Sequence, residues 1–232
     1  MMKKLLVALL TVFLMASSVP VNAASKKVIY LTFDDGPSKQ TPKILKVLKK
    51  YNVKATFFVI GARPKCYKYI GQAYKQGHCI AAHSYTHNYN IYKSQSKFYK
   101  DLGKIEKVIK KQTGKTSKVI RFPGGSSNTI SRKYKKHIMK KLTKSVMKKG
   151  YRYYDWNVDS TDASGNNVKA SKIVKRSKSK KKKICLLMHD AVTKKTTVKA
   201  LPKVIKYYKK KGYTFKTLDQ AGKNEFHHYV NN

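Results

Sequence analysis

Short β-rich segments alternate with helical segments along most of the chain, and this alternation constrains the fold more than any other feature. Seven segments are rich in β-branched and aromatic residues: 28–33, 55–60, 79–82, 118–122, 152–156, 184–188 and 213–216. Between them apolar residues recur with helical spacing, as at Ile138, Leu142 and Val146 within the segment 131–149. We therefore expect an α/β fold with about seven parallel strands and outer helices, either a barrel or a doubly wound sheet. No linker divides the pattern, so a single domain is expected.

The first 23 residues have the layout of a secretory signal peptide. Two lysines precede an apolar stretch over 5–15, and small residues up to Ala23 follow it. An uncleaved membrane anchor is the alternative, but bridging a bilayer takes about 20 apolar residues, and two serines and Pro20 interrupt this stretch. We expect cleavage after Ala23, no stable membrane insertion afterwards, and an exported catalytic domain over 24–232.

The three cysteines are an odd number for an exported chain. A bridge between Cys66 and Cys79 is one possible pairing, although the helix expected between them makes the separation long. Their pairing stays open. Cys185 lies in an apolar strand segment and is expected to behave as a small buried hydrophobe.

The net charge is extreme, because 53 Lys and Arg face 10 Asp and Glu, a formal +43. Such a balance is typical of disordered or nucleic-acid-binding chains, but 41% hydrophobic and 11% aromatic residues suffice for a core. A nucleic-acid site would need a basic stripe with Arg and exposed aromatic residues, whereas Lys is spread over every predicted helix. We expect no nucleic-acid partner, solvated lysine faces, and attraction to anionic cell-wall polymers.

The few acids are unevenly distributed. Six of the ten lie at predicted strand ends: Asp34, Asp35, Asp155, Asp159, Asp162 and Asp190. Parallel α/β folds place their chemistry at one rim of the sheet. The concentration therefore predicts one polar site at that rim.

Two polar segments suggest a metal site. Asp34 and Asp35 follow the first strand, where one Asp would explain a turn but two adjacent carboxylates need a cation or a partner. His83 and His87 follow the third strand at a spacing that places both on one face of a helical turn. A lone histidine pair is usually a surface feature, but two histidines with Asp35 make a facial set that leaves coordination positions open.

Three further segments end strands with polar residues. Arg121 stands out in a lysine-rich chain because its planar fork can hold a carboxylate, with a structural ion pair as the alternative. The segment 153–163 contains three acids and the only Trp, and an apolar strand leads to His189. The remaining histidines have no such neighbours and are expected at the surface: His78, His137, His227 and His228.

These segments together resemble the polysaccharide deacetylases, the NodB-homology family or carbohydrate esterase family 4. TFDDGP and HSYTH in this order are specific, and RFPGG, the 156–162 segment and LMHD fall in register, from about Lys27 to Leu218. The resemblance implies a distorted (β/α) barrel. It also implies a divalent metal on Asp35, His83 and His87, with Zn²⁺ the default and Co²⁺ or Ni²⁺ accepted by related enzymes.

The resemblance also implies the catalytic roles. Asp34 resembles the base that takes a proton from water, and Arg121 the residue that keeps it ionised. His189 resembles the general acid that protonates the departing amine, and Asp162 favours its charged form.

The substrate contacts follow from the same resemblance. A backbone N–H just after Pro123, at Gly124, would bind the oxyanion, and Leu187 would form the wall of a methyl pocket. The chain departs from the family pattern at two positions. Gly124 stands where members often have an aromatic residue, and Ala163 stands where many have Trp. Both changes leave the identity and length of the substrate open, and Trp156 either fills part of the vacated space or belongs to the core.

The expected function is removal of acetyl groups from N-acetylglucosamine units, foremost in peptidoglycan, by a cell-wall-associated monomer. Deacetylation of N-acetylmuramic acid or chitooligosaccharides and O-acetyl xylan hydrolysis are close alternatives. A non-catalytic, basic wall-binding module is the alternative from another class, and the complete set of site residues argues against it.

Overall fold

The computed structural model describes residues 27–230 and 232. Over these residues the chain forms eight strands, β1–β8: Val28–Gly36, Thr56–Ile60, Cys79–Ser84, Val119–Ile120, Arg152–Tyr153, Val158–Asp159, Lys183–His189 and Thr214–Lys216. The same residues form six α-helices, α1–α6: Thr41–Lys50, Lys68–Lys75, Gln95–Thr113, Ile138–Lys148, Ala170–Arg176 and Lys195–Lys210. None of these helices combines the length and apolar character needed to cross a bilayer. The signal peptide predicted over 1–23 lies outside the described residues.

All strand pairs are parallel and follow the order β5-β4-β3-β2-β1-β7-β6. β8 pairs with Val28–Tyr30, beside the first half of β1, because β2 pairs with β1 only from Thr32 onward. β5 and β6 form the two ends of this order and are joined through residues 154–157. The expected single-domain α/β fold, a distorted barrel of parallel strands, is confirmed.

The core explains why the strands are nearly continuous apolar runs. Parallel strands covered on both faces bury successive side chains; accordingly, every residue of β1 except Asp35 is buried, as is every residue of β2. The helices bury one face each, for example Leu201, Val204 and Ile205 of α6. Full burial of such a side chain stabilises the fold by about 1.5–3 kcal/mol.

Two elements differ from the sequence expectation. β6 was not expected, because a strand of two residues has too few positions to show a period. The single helix expected over 131–149 is a 3₁₀ turn at Ile130–Lys133 followed by α4 from Ile138. His137 between them has a left-handed backbone with φ of 60°, which an α-helix cannot continue.

The cysteines and one histidine complete the comparison. Cys66, Cys79 and Cys185 are all free, and Cys185 is buried as expected. The expectation that His78 lies at the surface is wrong, since it is 4% exposed and its Nδ1 accepts the backbone N–H of Ala55 at 3.1 Å. Burial, with a smaller contribution from Lys54, lowers the pKa of His78 to about 4, so the ring is neutral at neutral pH.

Candidate active site

The ends of β1, β3 and β7 open into a cleft of about 400 Å³. The side chains that carry chemistry in its wall include Asp34, Asp35, His83, His87 and His189. A cavity of about 500 Å³ lies at the opposite rim, where β3, β4 and β5 begin, but its lining contains none of these residues. The cleft at the carboxyl ends of the strands is therefore the candidate site, as expected for a parallel α/β fold.

Asp35, His83 and His87 converge on one point of the cleft. Their ligand atoms all lie within 4.8 Å of one another, and this is the one such group among the described residues. Asp35 Oδ1 lies 3.2 Å from His87 Nε2 and 3.8 Å from His83 Nε2. This Oδ1 is buried and accepts no hydrogen bond, a costly arrangement unless a cation lies beside it.

The protonation of His83 suits a metal ligand. Its Nδ1 lies 2.8 Å from the carbonyl oxygen of Arg121, to which it donates, so Nε2 carries the lone pair facing Asp35. Burial lowers the pKa of His83 and keeps the ring neutral, despite the opposing charge of Asp34. Two imidazoles and one carboxylate with open positions fit a divalent transition metal such as zinc.

The two histidines meet through a loop, and the helical turn expected there is wrong. His83 belongs to β3, whereas His87 has a left-handed backbone with φ of 53°. Asp101 of α3 holds the loop: Oδ1 accepts from the Ser84 hydroxyl at 2.6 Å and the Tyr85 N–H at 2.7 Å, and Oδ2 accepts twice from Thr86. Sequence reasoning missed Asp101 because a helical pattern does not indicate which loop a polar side chain of the helix binds.

Asp34 and Arg121 form a buried ion pair beside Asp35, His83 and His87, which are together called the triad below. Arg121 is 1% exposed, and its Nη1 donates to Asp34 Oδ1 at 2.8 Å. The other N–H groups donate to Thr32 Oγ1, the carbonyls of Tyr154 and Asp155, and Cys185 Sγ. Burial acts to lower the pKa of Arg121, but the charge and hydrogen bond of Asp34, together with Cys185 and Asp155, outweigh it and raise the pKa. All five donors are used, so a lysine could not replace this side chain.

Asp162 and His189 form a second buried pair across the cleft. Asp162 Oδ1 lies 2.7 Å from His189 Nδ1, and its Oδ2 accepts the backbone N–H of His189 at 2.8 Å. Burial acts to lower the pKa of His189, but the hydrogen bond and charge of Asp162 raise it to about 9. The same contacts lower the pKa of Asp162 although its burial acts to raise it. His189 is therefore a cation at neutral pH.

A family model described as polysaccharide deacetylase matches residues 21–142, more than half of the chain. The chain belongs to the polysaccharide deacetylase family. The putative polysaccharide deacetylase YheN of Bacillus subtilis is 33% identical over 204 residues, 84% of this chain and 68% of that protein. A peptidoglycan-N-acetylglucosamine deacetylase of Bacillus cereus is 32% identical over 217 residues, 90% of this chain and 74% of that protein.

A solved structure supports the same assignment to the family. The catalytic domain of peptidoglycan N-acetylglucosamine deacetylase from Eubacterium rectale superposes with a TM-score of 0.84 and 41% sequence identity. The match covers 94% of this chain and 99% of that one. The family resemblance inferred from the sequence segments is thus confirmed.

In this family member the segment after β4 is a tight turn beside Asp35, His83 and His87. Gly124 and Gly125 have φ of 76° and 79°, left-handed values that favour glycine. The N–H of Gly125 donates to the carbonyl of Phe122 at 2.7 Å, and the hydroxyl of Tyr92 donates to the carbonyl of Pro123 at 2.8 Å. Among the described residues the N–H of Gly124 has no acceptor. Gly124 lines the cleft, whereas Pro123 is buried and does not line it.

Three of the six strand-end acids, Asp34, Asp35 and Asp162, line the cleft or bind a residue that lines it. The expectation that all six belong to one site is therefore partly wrong. Asp155 is buried and faces away from the cleft, and Asp159 is exposed at the end of β6. Asp190 is buried beneath the turn before α1, where it accepts hydrogen bonds from Ser38 at 2.8 Å and Thr41 at 2.5 Å. Burial raises the pKa of Asp190 to about 7. Consecutive residues at a strand end point to opposite sides, which separates Asp190 from His189.

Residues 222–230 pack against residues 153–156, where the chain passes from β5 to β6. His227 stacks on Tyr153 with ring centroids 3.8 Å apart. The backbone N–H of His228 donates to Asp155 at 2.9 Å, while Asp155 also accepts the N–H and the hydroxyl of Ser126 at 2.8 and 2.5 Å. His227 and His228 are half-buried and bonded to the fold, whereas His137 is exposed as expected.

Leu187, Trp156 and Ala163 also line the cleft. Leu187 is 5% exposed, so a small part of its side chain reaches the cleft. Trp156 is half-buried and packs against Gly125, where a Cβ would lie 3.1 Å from its ring. The indole is thus both packed and part of the wall.

Two residues behind the second ion pair were missed by sequence reasoning. Lys194 is 8% exposed, and its Nζ donates to the carbonyls of Asp162 and Gly165, each at 2.8 Å. The hydroxyl of Thr197 donates to Asp162 Oδ2 at 2.8 Å. Lys194 is one of 48 lysines in the sequence, and composition does not show which lysine has a partner.

Proposed function

We propose that this chain is an exported, metal-dependent N-deacetylase that hydrolyses the acetamide of N-acetylglucosamine units in peptidoglycan and releases acetate. The observation that supports it best is a pair of ion pairs, Asp34–Arg121 and His189–Asp162, on either side of the triad. In the first pair the carboxylate faces the cleft, and in the second the imidazole does. Relatives from Bacillus cereus and Eubacterium rectale bear the name peptidoglycan N-acetylglucosamine deacetylase, which supports the substrate.

Asp35, His83 and His87 would hold the metal, with zinc proposed because the donor set is nitrogen and oxygen. When bound, a divalent metal polarises a carbonyl and lowers the pKa of a coordinated water. The buried, unpaired Oδ1 of Asp35 gives the protein a specific need for that cation.

Asp34 would act as the general base. Its Oδ1 is held by Arg121, and Oδ2 lies 3.8 Å from His83 Nε2, directed toward the triad. A carboxylate in this position can take the proton of a water molecule that attacks the acetyl carbon. The guanidinium of Arg121 holds Oδ1 by a hydrogen bond of 2.8 Å and so fixes the carboxylate in place for that step.

His189 would act as the general acid. Asp162 holds Nδ1, so Nε2 is left to protonate the amine as the carbon–nitrogen bond breaks. The N–H of Gly124 is a donor for the developing oxyanion, and Leu187 offers an apolar contact for the acetyl methyl group. The products are acetate and a free amino sugar.

We also propose that the surface charge brings the enzyme to the anionic wall. Of the ten acids only Asp159 and Asp219 are exposed, so the lysine-covered helix faces have almost no compensating carboxylates around them. Attraction of this kind is screened by salt. Binding of the purified protein to cell walls should therefore weaken steeply between low and high salt, and unchanged binding would contradict the role of charge.

The test of the function is product analysis with purified peptidoglycan, chitin oligomers and acetylated xylan offered side by side. We expect acetate and a mass loss of one acetyl group per modified sugar, largest for N-acetylglucosamine residues of peptidoglycan. Removal of the metal with a chelator should abolish release, and added Zn²⁺ should restore it. Wall binding without acetate from any of the three would favour a non-catalytic binding module.

A further inference from the structure

The hydroxyl of Tyr89 lies beside the proposed oxyanion donor. A Cβ built on Gly124 would lie 2.8 Å from the Tyr89 hydroxyl oxygen and 3.3 Å from its ring. The hydroxyl therefore lies against Gly124, whose N–H has no acceptor among the described residues. Tyr89 also lines the cleft with Asp35 and His87.

The ring of Tyr89 is held in place by its neighbours. It is half-buried, packs edge-on against His87 with centroids 6.4 Å apart, and lies 5.9 Å from Tyr92. Its backbone begins a short 3₁₀ turn, which Asn88 caps by accepting the N–H of Asn90 at 2.9 Å. A phenol fixed in this way loses little entropy when it makes one further hydrogen bond.

The hydroxyl itself is unused by the protein. Among the described residues it has no hydrogen-bond partner, whereas the neighbouring Tyr92 hydroxyl is committed to the carbonyl of Pro123 at 2.8 Å. A phenol is protonated at neutral pH, so Tyr89 presents a donor to the cleft. Tyr89 Oη and Gly124 N–H are thus two unpaired donors from different loops that both line the cleft.

We propose that Tyr89 is a substrate-contacting residue whose hydroxyl donates a hydrogen bond to the acetyl oxygen, alongside the N–H of Gly124. The inference rests on the proposed deacetylase function and adds a side-chain donor to its oxyanion site. Because the bond shortens as negative charge develops on the oxygen, the hydroxyl stabilises the transition state more than the bound substrate.

The test compares Tyr89→Phe with Tyr229→Phe, a control whose residue is 84% exposed. Removing one oxyanion donor typically costs 10²–10³ in kcat, and for this additional donor we expect a fall of about 10- to 100-fold, with KM within about twofold of the wild type. Bound zinc per chain and the thermal midpoint should equal those of the control. Equality in both excludes an indirect effect through His87 or through folding.

The outcomes separate the two proposals. A wild type that releases no acetate from any substrate overturns the deacetylase function itself. An active wild type whose Tyr89→Phe variant keeps its kcat, or changes only in KM, overturns the role of Tyr89 and leaves the deacetylase function standing.

Discussion

The two ion pairs on either side of the cleft have the same parts arranged in opposite order. In the Asp34–Arg121 pair the cation is wholly enclosed and uses every donor, and the carboxylate faces the metal-ligand triad. In the Asp162–His189 pair the carboxylate is enclosed, and the imidazole faces the cleft. Each pair presents one partner to the cleft and buries the other.

This difference assigns the direction of proton transfer. A permanent buried cation stabilises a carboxylate, which can only accept a proton, so the first pair suits a base. A buried carboxylate stabilises an imidazolium, which can only donate, so the second pair suits an acid. The general lesson is that the enclosed partner decides the role of the one that faces the substrate.

The largest expected effect comes from removing the group that faces the cleft in the first pair. Asp34→Asn keeps the shape of the side chain but cannot accept the proton, so we expect kcat to fall by about 10³-fold or more. Acetate release under saturating substrate measures it. Asp219→Asn, at an exposed carboxylate away from the cleft, is the matched control, and equal activity of both variants would refute the assignment of the base.

The next effect is a loss of folding stability, which we expect from removing the buried partner of the same pair. Arg121→Met leaves the Asp34 carboxylate and the carbonyl of Tyr154 buried without the donor that Arg121 supplies. Breaking a buried pair from one side costs about 3–5 kcal/mol, so the free energy of unfolding should fall by that amount in a denaturant titration. Arg152→Met, which removes a half-buried arginine bound to one carbonyl, should cost much less. A loss no greater than in this control would mean that the Arg121 pair adds little stability.

Removing the buried partner of the second pair should change the pH profile of kcat/KM. The pKa of His189 is raised to about 9, and the acid works when protonated, so activity should hold below that pH and fall as the pH rises through it. Asp162→Asn removes the cause of the raised pKa, and burial then lowers the pKa to about 6.5 or below. We expect the alkaline limb of kcat/KM to move down accordingly, with about a 30-fold loss at pH 8.

Thr197→Val provides the control for that experiment. It removes one hydrogen bond to Asp162 while keeping the carboxylate charge, so its alkaline limb should stay close to that of the wild type. An Asp162→Asn limb that remains near pH 9 would show that another group sets the charge of His189.

The sequence was most informative where a pattern repeats or a segment is specific. The alternation of β-rich and helical segments predicted the parallel strands. TFDDGP with HSYTH predicted the convergence of Asp35, His83 and His87. It failed where residues distant along the chain meet. Asp101 holds the histidine loop from 15–17 residues away, and His228 reaches Asp155 from 73 residues away, and neither contact leaves a local pattern.

The sequence by itself determined the alternation of strands and helices, the apolar core positions and the identity of the polar side chains at strand ends, because each follows from local periodicity and side-chain chemistry. The tertiary structure alone decided which of those side chains share the cleft. It separated Asp155 and Asp190 from Asp34 and Asp162, and it placed Tyr89 against Gly124. The physical reason is that orientation at a strand end depends on backbone angles and on hydrogen bonds from other loops, which exist only once the barrel has formed.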